Sequence, residues 1–453
     1  MVFSSAAFLS VLFPLAVLGC LALRRWVRTQ NMLLLALSLV FYAWGEIGFL
    51  PVMALSALGN ALLGRAAYRF REKRWPAALA VALNVGVLMY YKYAGFAVDV
   101  LNRAAGAGIF FAAPALPLGV SFFTFQGLSY VLDMRRGEDA PGTVMEGCLY
   151  ICFFPQLVAG PIVRWSDIRR ELRDRRVTLE GVGDGFLRFI PGLAKKVLLA
   201  DTLGKLADAA YACPDGERGT LLALLGGAAF CMQLYFDFSG YSDMAIGLGR
   251  MFGFRFPENF DRPWRSASVQ EFWRRWHMTL SRWFRDYVYI PLGGSRRGEA
   301  KTALNLLIVF ALTGIWHGAG WTFLCWGLWN GLLVILERLR VLRPRDWPRP
   351  LAHAYTLLAA LLGFMLFRAD SITAAAGYFA SLAHFVPAEG AANALLYTLQ
   401  PPAVLAFAAG IGLCALPGKL PDWLRYMSCG ALLVLSYLAI VSSGYHPFLY
   451  FRF

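Results

Sequence analysis

WRSASVQEFWRRWHMTLSRWFRDYVYIPLGG (residues 264–294) and TALNLLIVFALTGIWHGAGWTFLCWGLWNGLLVIL (residues 302–336) decide how this chain folds. The second string runs for 35 residues between Lys301 and Glu337 without an Asp, Glu, Lys or Arg. A membrane-spanning helix needs about 20 apolar residues, so this run is too long for one and fits two. Both flanks are basic, which predicts a helical hairpin with GIWHGAGW (residues 314–321) at or near its turn. Gly314, Gly318 and Gly320 allow close backbone approach and unusual dihedrals there. His317 sits inside the uncharged run, where ionisable groups are costly and tend to mark function. The first string carries His277 among aromatic residues and arginines. An imidazole with an ordinary pKa of about 6.5 is suited to moving protons at neutral pH. The two histidines therefore define a candidate reaction centre within a membrane protein.

Composition supports that class. Hydrophobic residues make up 58% of the 453 and charged residues 16%, against about 25% charged in soluble domains. Apolar runs recur from end to end, so the expectation is an all-α polytopic protein of about 10–12 spanning helices. Re-entrant and interfacial helices would complete it. It would form one membrane-embedded domain over residues 1–453, with a catalytic core near residues 121–337. The first run, residues 6–23, lacks a basic lead and a small-residue cleavage site, so it reads as a retained helix and not a signal peptide. The net charge of +15 lies in short loops between apolar runs, the cytoplasmic signature of a membrane protein. Lipid headgroups and an anionic cytosolic ligand fit that charge better than nucleic acid. The eight cysteines (Cys20, Cys148, Cys152, Cys213, Cys231, Cys325, Cys414, Cys429) show no metal-site spacing. Most lie in apolar runs, as small hydrophobes do, so neither zinc nor a disulfide framework is expected.

In order, apolar runs at 6–23, 32–48, 51–63, 77–91 and 109–132 alternate with basic clusters at Arg24–Arg28, 65–74 and Arg135–Arg136. That alternation places those clusters inside. Residues 147–163 are apolar but basic on both flanks, and Pro155, Gly160 and Pro161 interrupt them. A re-entrant element satisfies both flanks, and irregular backbone at that depth must pack on protein or line a cavity. FFPQLVAGPIVR (153–164) thus becomes a candidate channel wall, with a kinked helix as the alternative. Residues 186–199, with Lys195 and Lys196, read as amphipathic and interfacial. Residues 221–236 are apolar and lead into a segment where Asp237 and Asp243 interrupt lipid depth. Those acids either join helices by hydrogen bonds or belong to the site.

Residues 262–301 hold nine Lys or Arg against three acids. Drawn as one helix, Trp273, His277, Leu280 and Phe284 share a face, with Arg274, Arg282 and Arg285 on the adjoining one. Such a helix suits the cytoplasmic interface, either as a plain anchor or as a docking face for an anion. Residues 351–367, 402–416 and 426–441 supply three more apolar runs. Residues 371–400 have no clear placement, and HPFLYFRF (446–453) suits the interface.

Transfer of an activated acyl group to a hydroxyl fits these pieces. An alcohol is a weak nucleophile, so a base must take its proton, and a positioned imidazole contributes roughly 10²–10⁴-fold. There is no G-x-S-x-G elbow and no cysteine next to either histidine, which argues against a covalent enzyme intermediate.

Six strings carry a resemblance. They are SFFTFQGLSYVLD (121–133), FFPQLVAGPIVR (153–164), YFDFSGYSDMAIGLGRMFGFRFPENF (235–260), FWRRWHMTLSRWFRDYVYIPLGGSRRG (272–298), GIWHGAGWTFLCWGLWNG (314–331) and FLYFRF (448–453). In these strings the chain resembles the membrane-bound O-acyltransferase family, in its bacterial branch around the alginate O-acetyltransferase membrane subunit. The resemblance implies that His317 is the catalytic histidine and that His277 occupies a second position, usually Asn or His. It implies helices around a central funnel, with an acyl donor such as acetyl-CoA or an acyl carrier protein arriving from the cytosolic side at its base, and no permanently bound cofactor. The acyl group, expected to be acetyl, would leave on the outer face of the bacterial inner membrane for O-acetylation of an exported or cell-wall polysaccharide. A separate hydrolase-like acetyltransferase is the implied partner. Alginate, cellulose, another exopolysaccharide, peptidoglycan, or teichoic acid D-alanylation are all served by similar subunits. Candidate substrate- or donor-binding residues are Trp316, Trp276, Arg274, Arg282, Arg285, Asp237, Tyr241, Asp243, Gln156 and Arg164. A proton-coupled transporter and a scaffold without chemistry are the readings of other classes.

Overall fold

The computed structural model describes residues 2–137, 139–385, 400–415 and 421–442. These are helical or irregular, with no strand among them. The helices are α1 (Phe13–Ala22), α2 (Val27–Glu46), α3 (Leu50–Arg69), α4 (Trp75–Leu88), α5 (Ala94–Ala105), α6 (Val120–Arg136), α7 (Val144–Cys152), α8 (Phe154–Leu157), α9 (Trp165–Ile168) and α10 (Leu179–Ala194). They continue with α11 (Asp201–Ala212), α12 (Thr220–Met251), α13 (Val269–Arg275), α14 (Met278–Phe284), α15 (Glu299–His317), α16 (Trp321–Arg338), α17 (Arg349–Arg368), α18 (Ile372–Ser381), α19 (Pro401–Ala415) and α20 (Asp422–Ser442). Among the described residues six segments are long and apolar enough to cross a membrane: Val27–Arg69, Trp75–Ala105, Thr220–Met251, Glu299–His317, Arg349–Arg368 and Asp422–Ser442. Together they make this an all-α, multi-pass membrane protein. The aromatic tail 446–453 and residues 386–399 lie outside the described residues.

Two compact units emerge. The first is built from the residues up to Leu193 with Tyr241–Glu258, the second from Ala194–Gly240 and Asn259–Ser442.

In the first unit, apolar helices are joined by buried polar pairs, which count where lipid offers no partner. Asn60 and Asn84 exchange side-chain amide bonds of 3.1 and 2.7 Å between α3 and α4. Asn31 on α2 accepts from Arg175 at 2.6 Å and donates to the Leu172 carbonyl at 2.8 Å. The run 109–132 is not one helix. Pro114 and Pro117 precede Gly119, whose φ of +72° turns the chain before α6 starts at Val120. A Cβ at Gly119 would lie 2.5 Å from the Leu157 carbonyl oxygen, so only glycine fits this crossing. The interrupted stretch 147–163 is broken as its sequence suggests. Helix α7 stops at Phe153, whose ψ is 111°, and α8 restarts with Pro155 in its first turn. The Phe154 N–H, orphaned by that break, donates to Ser38 Oγ at 3.1 Å.

In the second unit, α15 and α16 form the hairpin expected of residues 302–336. A Cβ at Gly314 would run into the Phe323 carbonyl, and one at Gly327 into the Phe310 carbonyl. Glycine thus sets how closely the two helices approach. Gly318 and Gly320 in the turn have φ of −163° and −169°, an extended backbone open to any residue, so the turn needs none of the unusual dihedrals its glycines suggest.

Lys196 corrects a second expectation. It is buried and not interfacial, held by Asp201 and, at 3.2 Å, by Asp237 Oδ1. A buried ammonium persists only when paired; Asp201 lies just beyond the amphipathic run that suggested an interfacial helix, and Asp237 comes from α12. The apolar run 221–236 likewise continues as helix to Met251, with Asp237 paired to Lys196 within it.

Candidate active site

Asn259 organises the chain around His277. The expected single helix over 273–284 is broken into α13 and α14, with His277 in the left-handed region at φ 43°, ψ 52°. That conformation is strained for a non-glycine residue and persists only where its surroundings hold it. Here three backbone bonds hold it. The Asp261 N–H donates to the Arg275 carbonyl at 2.9 Å, Met278 N–H to the Asn259 carbonyl at 3.0 Å, and Ser281 N–H to the His277 carbonyl at 3.1 Å. Trp273, His277, Leu280 and Phe284 are still all buried, by tertiary contact and not by sharing one helical face.

The His277 ring is 1% exposed and lies outside the apolar spans. Burial pushes its pKa down to about 3, so it is neutral at physiological pH. Its tautomer follows from Asn259. The Asn259 side-chain oxygen accepts from the Thr279 N–H at 3.4 Å and the Thr279 hydroxyl at 2.8 Å. A backbone N–H can only donate, so the atom it meets is the amide oxygen. His277 Nδ1, 3.1 Å from that oxygen, therefore carries the proton. Its Nε2 keeps a free lone pair and has no hydrogen-bond partner among the described residues.

Trp316 lies against both imidazoles, with ring centroids 6.2 Å from His277 and 4.9 Å from His317. His317, the last residue of α15 and 5% exposed, stands edge-on to Trp326 at 5.1 Å and Phe367 at 5.5 Å. Phe238 meets the His277 ring at 4.6 Å. Trp276 is stacked on Phe272 and packs on Phe260 and Phe364. Both histidines and both tryptophans thus belong to one buried aromatic layer of the second unit.

A cavity of about 400 Å³ opens beside that layer, lined by Trp273, Arg274, Arg285, Tyr289, Thr313 and Arg338 among others. Trp273 links the two, touching Trp326 at 5.7 Å and donating its indole N–H to Asn330 at 3.2 Å. The Glu337 carboxylate accepts from the Val269 and Gln270 N–H groups at 2.7 and 3.0 Å. It thereby caps α13 against the helix dipole and fixes the cavity wall. Arg285 is paired with Asp286 at 2.6 Å, whereas Arg274 and Arg338 make no ion pair among the described residues. Arg282 is not among the lining residues.

Asp237 is engaged by Lys196. In the first unit, Asp243 accepts from Arg188 at 2.8 Å, an arginine that also holds Glu258 at 2.5 Å. Tyr241 stacks on Phe3 at 4.6 Å. Gln156 is buried, donating to the Tyr150 carbonyl at 2.5 Å. The Arg164 N–H donates to Asp167 at 2.9 Å. Asn259, Arg338, Trp326 and Phe238 were not singled out from sequence. Asn259 lies in a quoted motif, but nothing local marks an amide whose partner is 18 residues away.

A sequence profile of the MBOAT, membrane-bound O-acyltransferase family, matches residues 140–369. The "Probable alginate O-acetylase AlgI" of Azotobacter vinelandii is 43% identical over 397 residues, covering 85% of this chain and 78% of that protein. The protein of the same name from Pseudomonas putida is 39% identical over 492 residues and the whole of both chains. The "Peptidoglycan O-acetyltransferase" of Helicobacter pylori is 30% identical over 519 residues, covering 100% and 98%. With this match over half the chain, and relatives at 30–43% identity aligned over 85–100% of it, the chain belongs to the membrane-bound O-acyltransferase family and is an O-acyltransferase.

Proposed function

We propose that the chain takes an acetyl group from a thioester donor, acetyl-CoA, on the cytoplasmic side of the bacterial inner membrane and passes it on for O-acetylation of an exported polysaccharide. The single observation that carries this is the pair of buried imidazoles flanking Trp316 beside an arginine-lined cavity. Arg274, Arg285 and Arg338 provide cations for an anionic donor in that cavity, in the manner of guanidinium–phosphate recognition. His317 takes the proton of the attacking hydroxyl as its oxygen bonds to the acetyl carbon. The carbon–sulfur bond breaks, and the proton passes to the departing sulfur. With its proton on Nδ1, His277 presents Nε2 only as an acceptor. That favours assistance in proton transfer over polarising the donor carbonyl by donation.

The higher identity to the alginate O-acetylases supports an alginate-like acceptor; a separate hydrolase-like acetyltransferase is the partner we propose. The full-length likeness to the Helicobacter pylori protein supports peptidoglycan as the second reading.

The test uses the full chain in lipid nanodiscs with radiolabelled acetyl-CoA. Wild type is expected to transfer or hydrolyse the label, and His317→Ala to lose about 10²–10⁴ in rate while remaining folded. Undiminished turnover in that variant refutes the role. Solute transport without acyl transfer would instead indicate the transporter.

A further inference from the structure

A second cavity of the same unit, about 620 Å³, lies among α12, α17 and α19 and takes no part in the proposed chemistry. Along α17 it is lined by Arg349, His353, Leu357 and Leu361, one residue from each successive turn. At 1.5 Å per residue this stripe is about 18 Å long. Its chemistry changes along its length. Arg349 and His353 stand at the start of α17, joined by Arg265 from the segment before α13, and everything further along is apolar. Met232 on α12 and Ile411 on α19 line the remaining walls.

Arg265 and Arg349 are exposed, and neither makes an ion pair among the described residues. His353 Nδ1 is fixed 3.1 Å from the Ser266 carbonyl, which ties the segment carrying Arg265 to the first turn of α17. An apolar slot with two uncompensated cations at one end matches a molecule with a long hydrocarbon chain and an anionic head. In a multi-pass membrane protein the abundant molecule of that form is a phospholipid, and basic pockets beside helix ends are a known form of headgroup recognition.

We propose that this cleft binds one anionic phospholipid, its phosphate at Arg265 and Arg349 and an acyl chain along Leu357 and Leu361. The site is separate from the acyl-transfer reading and stands whether or not that reading does.

Native mass spectrometry of the full chain in detergent, titrated with phosphatidylglycerol or phosphatidylcholine, tests it. Wild type is expected to retain one phosphatidylglycerol more tightly than phosphatidylcholine. Each near-surface arginine contributes about fivefold, so Arg265→Ala with Arg349→Ala should weaken phosphatidylglycerol binding about 30-fold and leave phosphatidylcholine unchanged. Both positions are exposed, so the variant should fold. Ile411→Trp, also at an exposed position (54%), should narrow the slot and release both lipids. Equal retention of the two lipids by wild type overturns the proposal. So does a preference that survives the double arginine variant, or lipid retention unchanged by Ile411→Trp.

Discussion

Replacing Asn259 with Ala should disable His277 without touching either imidazole. The Asn259 side-chain oxygen receives three donors: His277 Nδ1, the Thr279 hydroxyl and the Thr279 N–H. The hydroxyl can rotate to another acceptor, but the imidazole N–H and the backbone N–H cannot. Both are buried, and each buried donor left unsatisfied costs about 1–3 kcal/mol. The fold should therefore lose about 2–6 kcal/mol locally, and the His277 ring loses the acceptor that fixes it while the three backbone bonds stay in place. Once released, the imidazole is free to move its proton to Nε2 and lose the acceptor facing the layer. Where a neighbour fixes a catalytic imidazole's tautomer, its loss can cost about 10⁴-fold. In the proposed reaction His277 assists and is not the main base, so about 10²-fold in kcat is expected. The assay is acetyl transfer or acetyl-CoA hydrolysis in nanodiscs, normalised to monodisperse folded protein. The KM for the donor should stay near wild type, because the arginine-lined cavity is unaltered. Asn259→Asp, which keeps an acceptor oxygen on Nδ1, should recover part of the rate. A folded Asn259→Ala protein turning over at the wild-type rate would refute the orienting role.

Two further perturbations probe the frame around the site. Gly327→Ala places a methyl against the Phe310 carbonyl; pushing α15 from α16 should cost about 1–3 kcal/mol, seen as earlier thermal unfolding in detergent and slower turnover through His317. Unchanged melting and rate would contradict the close crossing. Lys196→Met leaves Asp201 and Asp237 facing a buried site without their cation, a loss of about 3–5 kcal/mol measurable by chemical or thermal unfolding at neutral pH. Adding Asp237→Asn should return part of that stability, and a double variant no better than the single would show that the ion pair is not the cause.

Much of the architecture was legible from local pattern. An uncharged run of 35 residues between basic flanks admits little but a hairpin, and α15 and α16 form it with the expected octet at the turn. His317 could be singled out as a candidate because a titratable ring within an uncharged apolar run is costly wherever the chain goes. The prolines and glycines of residues 147–163 announced the break after α7, since proline removes a donor whatever its neighbours.

Other features depended on partners distant in sequence. Periodicity drew one helix through residues 273–284, and it fails at His277 because Asn259, 18 residues earlier, captures the backbone and ring at that point. Lys196 read as interfacial because an isolated lysine belongs in water; Asp237, on another helix, makes its burial tolerable. Arg338 looked like a topological flank until the fold set it beside Arg274 in one cavity. Hydrophobic spacing and helix-breaking residues act within a few turns of chain, so sequence alone determined the class and the hairpin, and offered the two histidines only as candidates. Hydrogen bonds and ion pairs between remote segments are chosen only by packing, so the tautomer of His277, the burial of Lys196 and the membership of the cavity were decided by tertiary structure.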